Sequence, residues 1–247
     1  MIIDTHCHLT SLSSSALNEQ LNPEHLYLTM GTHVSDWPDV IHLSKTYSNV
    51  FSALGLHPWY VTEEYESELE TLQQQLLEST PTAIGEIGLD FSPDHNATRK
   101  FQLDAFECQL KFALEYDLPV SLHVYKAHNE TIELLKRYPV RGVVHSLGCS
   151  VQLARQYVDL GFKFGVNAIL ARDNARRYHE LVREFGLECV VLETDSPNIR
   201  LPAVSETNLA DILQVVNAVS EITGSTALEV VKRTEANANQ IFHFLKD

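Results

Sequence analysis

Eight short β-rich runs spread over 247 residues, most of them separated by stretches of helical periodicity, leave this chain few architectures. The runs are Met1–Asp4, Leu26–Met30, Val50–Leu56, Thr82–Ile84 continuing through Gly85 and Glu86, Pro119–Leu122, Gly142–Val144, Lys163–Val166 and Cys189–Leu192. Residues 64–78, 97–116, 129–137, 151–160 and 174–185 read as helices, and Glu206–Phe244 as two more, broken around Thr223-Gly224-Ser225. Within 97–116, Phe101, Ala105, Leu110, Ala113 and Leu114 recur at close to the helical repeat. Strands alternating with helices favour a parallel sheet with crossovers. A doubly wound open sheet is the main competitor, but eight runs in this length favour a closed (β/α)8 TIM barrel with extra C-terminal helices, slightly distorted at most. No low-complexity linker or composition break divides the chain, so residues 1–247 are expected to form one domain.

The residues just past each run point to chemistry. The first run leads into His6-Cys7-His8, and a strand alternates its side chains with period two, so the two imidazoles face the same way. The third is followed by His57, the fourth carries Glu86, the fifth and sixth lead to His123 and His145, and the eighth to Glu193 and Asp195. Barrel enzymes gather their chemistry at the C-terminal ends of the strands, where the connecting loops converge. Scattered surface histidines would not choose that position repeatedly. Imidazoles mixed with carboxylates suit zinc, manganese, iron or nickel, and a carboxylate can bridge two ions.

Composition sets limits on partners. A formal net charge of -15 excludes a general nucleic-acid coating protein, whose affinity depends on neutralising phosphates. Bound cations reverse the local field, so an enzyme with such a centre can still act on phosphate. No stretch approaches the roughly 18 apolar residues of a membrane span, and no secretory signal opens the chain. The four cysteines (7, 108, 149, 189) lack a metal-knuckle spacing and read as reduced thiols of a cytoplasmic protein.

The segments IDTHCHL, GLHP, GEIGLD, PVSLH, VVH and LETDSP, in that order, resemble the TatD-related metal-dependent deoxyribonucleases of the amidohydrolase-type barrels. The closing TEANANQIFHF is similar to that family's asparagine-containing final helix. The resemblance implies that His6, His8 and Asp195 bind a first divalent ion, that Glu86 bridges to a second, and that His123 and His145 complete it. It also implies that Asp195 takes a proton from the attacking water, and that the activity is a 3′–5′ exonuclease or phosphodiesterase on DNA, with single-stranded ends the expected partner. Two places depart from the family pattern. Many relatives carry an arginine soon after the strand-five histidine, where this chain reads His123-Val-Tyr-Lys126, and a His-Cys-Phe triplet where it reads His145-Ser-Leu. Lys126 would then replace a planar fork by a point charge at the phosphate.

The remaining residues carry weaker signals. Glu193 is expected to support the barrel interior or to hydrogen-bond a ligand from behind. His57 lines the mouth or supports the ligands, and Trp59 either stacks on a base or packs the loop. Lys126, His128, Arg172 and Arg200 follow strands five, seven and eight and are the candidates for contacting phosphates, against the alternative of solvated surface charge. Cys7 is expected in the core. The cofactors are expected to be two divalent ions (zinc, manganese, nickel or magnesium), in a monomer without an obligate protein partner. A metal-dependent hydrolase of a small amide, lactone or ester is the alternative that the same architecture supports, and a non-catalytic binding scaffold is a third.

Overall fold

The computed structural model describes residues 1–245. The eight runs all form strands: β1 (Ile2–Cys7), β2 (His25–Gly31), β3 (Val50–Leu54), β4 (Ala83–Asp90), β5 (Val120–Tyr125), β6 (Gly142–Val144), β7 (Lys163–Val166) and β8 (Val190–Leu192). Each pairs in parallel with the next in sequence, which is the strand order of the TIM barrel and excludes the doubly wound sheet. The seam between β8 and β1 is tied by Thr5 Oγ1 donating to the Leu192 carbonyl at 3.0 Å and by the Asp195 amide donating to the His6 carbonyl at 2.9 Å. Buried Asp4 reinforces it, accepting from the amide and hydroxyl of Thr194 at 3.0 and 2.7 Å.

Nine helices are present among the described residues: α1 (Ser14–Gln20), α2 (Trp37–Thr46), α3 (Tyr65–Ser79), α4 (Arg99–Glu115), α5 (His128–Arg137), α6 (Val151–Asp159), α7 (Arg176–Phe185), α8 (Ile212–Thr223) and α9 (Ala227–Phe242). The sequence pattern does not reveal α1 or α2. The first is one short segment burying only Leu17, and the second begins Trp-Pro and buries a narrow Trp37, Val40, Leu43 stripe. Gly224 in the left-handed region (φ 69°) ends α8 where the break was expected. Thr226 and Glu229 then start α9 with a reciprocal capping box.

Two strands carry one extra residue. Asp4 pairs with Tyr27 and Cys7 with Thr29, so three steps on β1 match two on β2. Ile84 pairs with Val120 and Ile87 with Leu122, the same mismatch on β4. Such bulges re-aim side chains, and here they contain His6 and Glu86.

Upstream of the site, the barrel is filled by Ile3, Leu28, Ala53, Ala83, Val143 and Val191, against which α9 and Phe244 pack. Asn237 of α9 donates through Nδ2 to the carbonyls of Leu187 and Val190, at 2.6 and 2.8 Å. The asparagine of the final helix thus ties α9 to the entrance of β8. Asn237→Ala leaves both carbonyls without that donor, and chemical denaturation is expected to read a loss of about 1–3 kcal/mol; a loss under about 0.5 kcal/mol would show that water replaces the amide.

Candidate metal centre

The bulges of β1 and β4 bring His6, His8 and Glu86 to one point at the C-terminal end of the barrel. His123 arrives from β5, His145 from the end of β6, Asp195 from just past β8, and His57 from the loop after β3. Glu86 is buried and divides its two oxygens. Oε2 lies 3.4 Å from His6 Nε2 and 3.7 Å from His8 Nε2, while Oε1 lies 3.2 Å from His123 Nδ1 and 3.6 Å from His57 Nε2. Asp195 closes the first side, with Oδ1 3.2 Å from His8 Nε2 and 3.9 Å from His6 Nε2, and Oδ2 3.5 Å from His145 Nε2. The His6 and His145 rings stack at 3.8 Å.

Among the described residues, donor atoms gather within 4.8 Å of one another in three groups: His6, His8 and Glu86; His57, Glu86 and His123; and His6, His145 and Glu193. His57 therefore stands beside Glu86 and His123 as a donor, whereas its sequence context placed it at the rim or behind the ligands. His145 faces Asp195 and His6, and lines the same cavity as His123.

The donors are held from behind. His6 Nδ1 lies 3.1 Å from Ser121 Oγ, which leaves Nε2 buried and without any hydrogen-bond partner. His123 turns Nδ1 to Glu86 because Asp90 Oδ2 stands 3.0 Å from its Nε2. Glu193 Oε1 lies 2.9 Å from His145 Nδ1 and accepts from the Ser146 amide and Asn167 Nδ2, both at 2.9 Å. Glu193 is thus buried in the barrel interior within ion-pair distance of His145, whose Nδ1 has no hydrogen-bond partner. Gly165 makes room for it, since a Cβ there would overlap the Glu193 carboxylate. Ser121 and Asp90 went unnoticed in the sequence. The signal for Ser121 was its place two residues before His123, on the same face of β5.

Protonation follows from these neighbours. Burial lowers His6, aided by His145 nearby, and burial takes His57 down to about 4, so both imidazoles are neutral at pH 7. Burial pushes Glu86 up, but His57 and His6, with hydrogen bonds from His123 and His57, hold it well below the usual carboxylate range. Asp195 is likewise depressed against its burial, by His145 and by His8. Burial lowers His145 but Glu193 and Asp195 outweigh it and raise it well above the ordinary value. Ionised Glu86 and Asp195, neutral His6 and His57, and a buried His6 Nε2 without a hydrogen-bond partner suit a divalent cation, whereas His8, His123 and His145, raised by the carboxylates facing them, would have to give up their protons to join as donors. An uncompensated carboxylate at the depth of Glu86 would be costly.

The cluster floors a cavity of about 480 Å³ whose walls include Thr32, His33, Asp36, Asp39, Trp59 and Asn198. No lysine or arginine lines it among the described residues. Of the candidates for substrate contact, His57 and Trp59 reach it, and the other four do not. Lys126 is exposed and extends over the Tyr125 ring, and His128 Nδ1 turns to Tyr157 Oη at 3.1 Å. Arg200 donates to the Ser205 carbonyl, and Arg172 lines a separate cavity of about 520 Å³ beside α8. The connections after β5, β7 and β8 carry these four side chains away from the donors.

The TatD related DNase family model matches residues 3–243, nearly the whole chain. The chain belongs to that family. It is 36% identical to the uncharacterized metal-dependent hydrolase YjjV of Escherichia coli K12, over 81% of this chain and 80% of that one. The crystal structure of that TatD homologue superposes with a TM-score of 0.91, 29% identity and 98% coverage of both chains. The deoxyribonuclease Tat-D of Schizosaccharomyces pombe is 33% identical over 68% of this chain and 57% of that protein. A TatD-family chain is a metal-dependent hydrolase, in keeping with the donor groups around Glu86. No helix among the described residues is long and apolar enough to cross a membrane.

Ser121 offers a test confined to the support of one donor. Ser121→Ala frees the His6 ring to turn, and metal affinity is expected to fall about 10–100-fold, read by competition with a chromogenic chelator. Unchanged affinity would mean that packing against His145 alone orients His6.

Proposed function

We propose that this TatD-family hydrolase cleaves phosphodiester bonds in DNA, working from single-stranded ends in the 3′–5′ direction, with two divalent ions on either side of Glu86. The observation that carries this reading is the division of one buried carboxylate between two sets of imidazoles. His6, His8 and Asp195 would hold one ion and His123 with His57 the other, Glu86 would serve both, and His145, which the resemblance assigns to the second ion, stands against His6 and Asp195. The deoxyribonuclease name of the S. pombe relative supports the substrate class. When bound, such ions supply Lewis acidity at a phosphoryl oxygen and lower the pKa of water toward neutrality.

The residues of the chain do the remaining work. Asp195, kept ionised, accepts the proton at its carboxylate, while Asn198 Nδ2 steadies Oδ1 from 3.1 Å. Glu193 fixes the His145 ring against Asp195, and Asp90 fixes His123. The donor set, rich in imidazole, favours zinc, manganese or nickel over magnesium. The His6–His8 side is expected to bind a transition metal tightly, and the His57–His123 side to exchange it more readily.

One observation favours a second reading, the hydrolysis of a small uncharged amide, lactone or ester. The cavity walls carry Asp36 and Asp39 and no lysine or arginine among the described residues. The deciding experiment is cleavage of end-labelled single-stranded DNA by metal-stripped protein, with manganese, zinc or magnesium restored singly. Shortening from the 3′ end with a transition metal supports the nuclease. Metal binding with no cleavage moves the assignment to the small-molecule hydrolase, and full activity with magnesium alone overturns the metal preference.

A further inference from the structure

Trp59 combines exposure with rigidity. It is 53% exposed and lines the cavity over the metal donors. Its indole Nε1 donates to Asp90 Oδ2 at 2.7 Å, the same oxygen that lies 3.0 Å from His123 Nε2. One ring face rests on His95, nearly parallel at 5.2 Å and 12°, and its amide donates to His57 Nδ1 at 3.2 Å. The His57 and His123 rings meet it edge-on, at 5.0 and 5.8 Å. Asp90 is itself fixed: its Oδ1 accepts from the Ser92 amide at 2.8 Å, and its own amide donates to Gln102 Oε1 at 2.9 Å. An exposed tryptophan normally gains from free rotation. This one is anchored at its indole N–H and by His95 on one ring face, so little conformational entropy remains to be lost when a ligand settles on it.

The cavity explains what such a ring is for. With no lysine or arginine on its walls among the described residues, the site has no basic clamp for a polyanion, and affinity beyond the metal centre needs another source. A flat ring beside the metal donors offers stacking, which takes any base because every base has a π-face.

We propose that Trp59 is a tethered stacking platform that takes a heteroaromatic base next to the scissile phosphodiester, and that Asp90 sets its position relative to His123. The inference rests on the phosphodiesterase reading for its substrate, but not for its binding test. The chain has two tryptophans, and the other, Trp37, is 1% exposed, so ligand-dependent quenching of fluorescence reports Trp59.

The experiment titrates metal-loaded protein with deoxyadenosine 5′-monophosphate and with deoxyribose 5-phosphate. In parallel, KM and kcat for labelled single-stranded DNA are measured for wild type, Trp59→Phe and Trp59→Leu, with metal content checked in each. Saturable quenching by the nucleotide and none by the sugar phosphate is expected. Trp59→Leu is expected to raise KM about 10- to 100-fold, the loss falling more on KM than on kcat, and Trp59→Phe, which keeps an aromatic face but not the tether, to recover part of it. If both variants are equally impaired, an aromatic face at this position contributes nothing and the platform is overturned. Cleavage with unchanged KM and no quenching overturns the platform while leaving the nuclease intact. Saturable quenching without cleavage by any metal supports the platform and overturns the phosphodiester reading. Neither signal overturns both.

Discussion

Asp195→Asn is expected to lower turnover of the metal-loaded protein by about 10²–10⁴-fold while leaving the fold in place. The backbone at Asp195 has φ 52°, a region that asparagine tolerates better than almost any residue but glycine. Its amide still donates to the His6 carbonyl, and its carbonyl still accepts from the Asn198 amide at 2.7 Å, so the turn after β8 keeps its bonds. Asp195→Ala is less informative, because it adds strain at that φ and leaves Asn198 Nδ2 without its acceptor. What the amide cannot do is accept the proton. The wild-type carboxylate stays ionised despite its burial because His145 and His8 face it, and the substitution removes that charge. The checks are turnover under saturating metal, metal content by mass spectrometry and the melting temperature. Retention of more than about a tenth of wild-type turnover at normal metal content would move the proton acceptor to another carboxylate.

The legibility of this molecule in its sequence depends on how local each feature is. Strands β1 to β8 were readable because strands buried under helices on a parallel sheet become short apolar runs. Their C-terminal ends were readable because a histidine or carboxylate interrupts most of the runs where the core gives way to the mouth. The bulges at His6 and Glu86 were not, since an extra residue in a ladder appears only when the partner strand is known. His57 shows the same limit. Its loop after β3 has no periodicity to aim it, and only the fold reveals Nε2 at 3.6 Å from Glu86 Oε1. Asp90 lay in plain view inside GEIGLD, yet its task of holding both His123 and Trp59 depends on three separate segments meeting. Conversely, Lys126 and Arg200 looked suitable from their places after strands, but a residue just past a strand end can turn outward as readily as inward.

Stripping the metal is expected to cost the protein stability as well as activity, and the two losses should be separable in extent. Glu86 and Asp195 stand at the centre of the barrel mouth among five imidazoles, and His6 Nε2 has no hydrogen-bond partner. A cation that binds only the folded chain adds RT ln(1 + [M]/Kd), about 4 kcal/mol at a thousandfold excess over Kd. For a chain of this size that corresponds to roughly 10 °C in melting temperature. Chelation with a strong aminocarboxylate should therefore lower the melting temperature by about that much and abolish hydrolysis, with zinc, manganese or nickel restoring both. The barrel itself should survive, because its apolar core of Ile3, Leu28, Ala53 and Val191 is built without the donors. Far-ultraviolet circular dichroism at room temperature should accordingly be unchanged by chelation. A Ser121→Ala protein should need less chelator to reach the same end state, since its His6 is no longer held from behind. A melting temperature indifferent to chelation, in protein shown to have lost its metal, would mean that the histidines and carboxylates already neutralise one another and that the cluster is an ion-pair network of the barrel mouth.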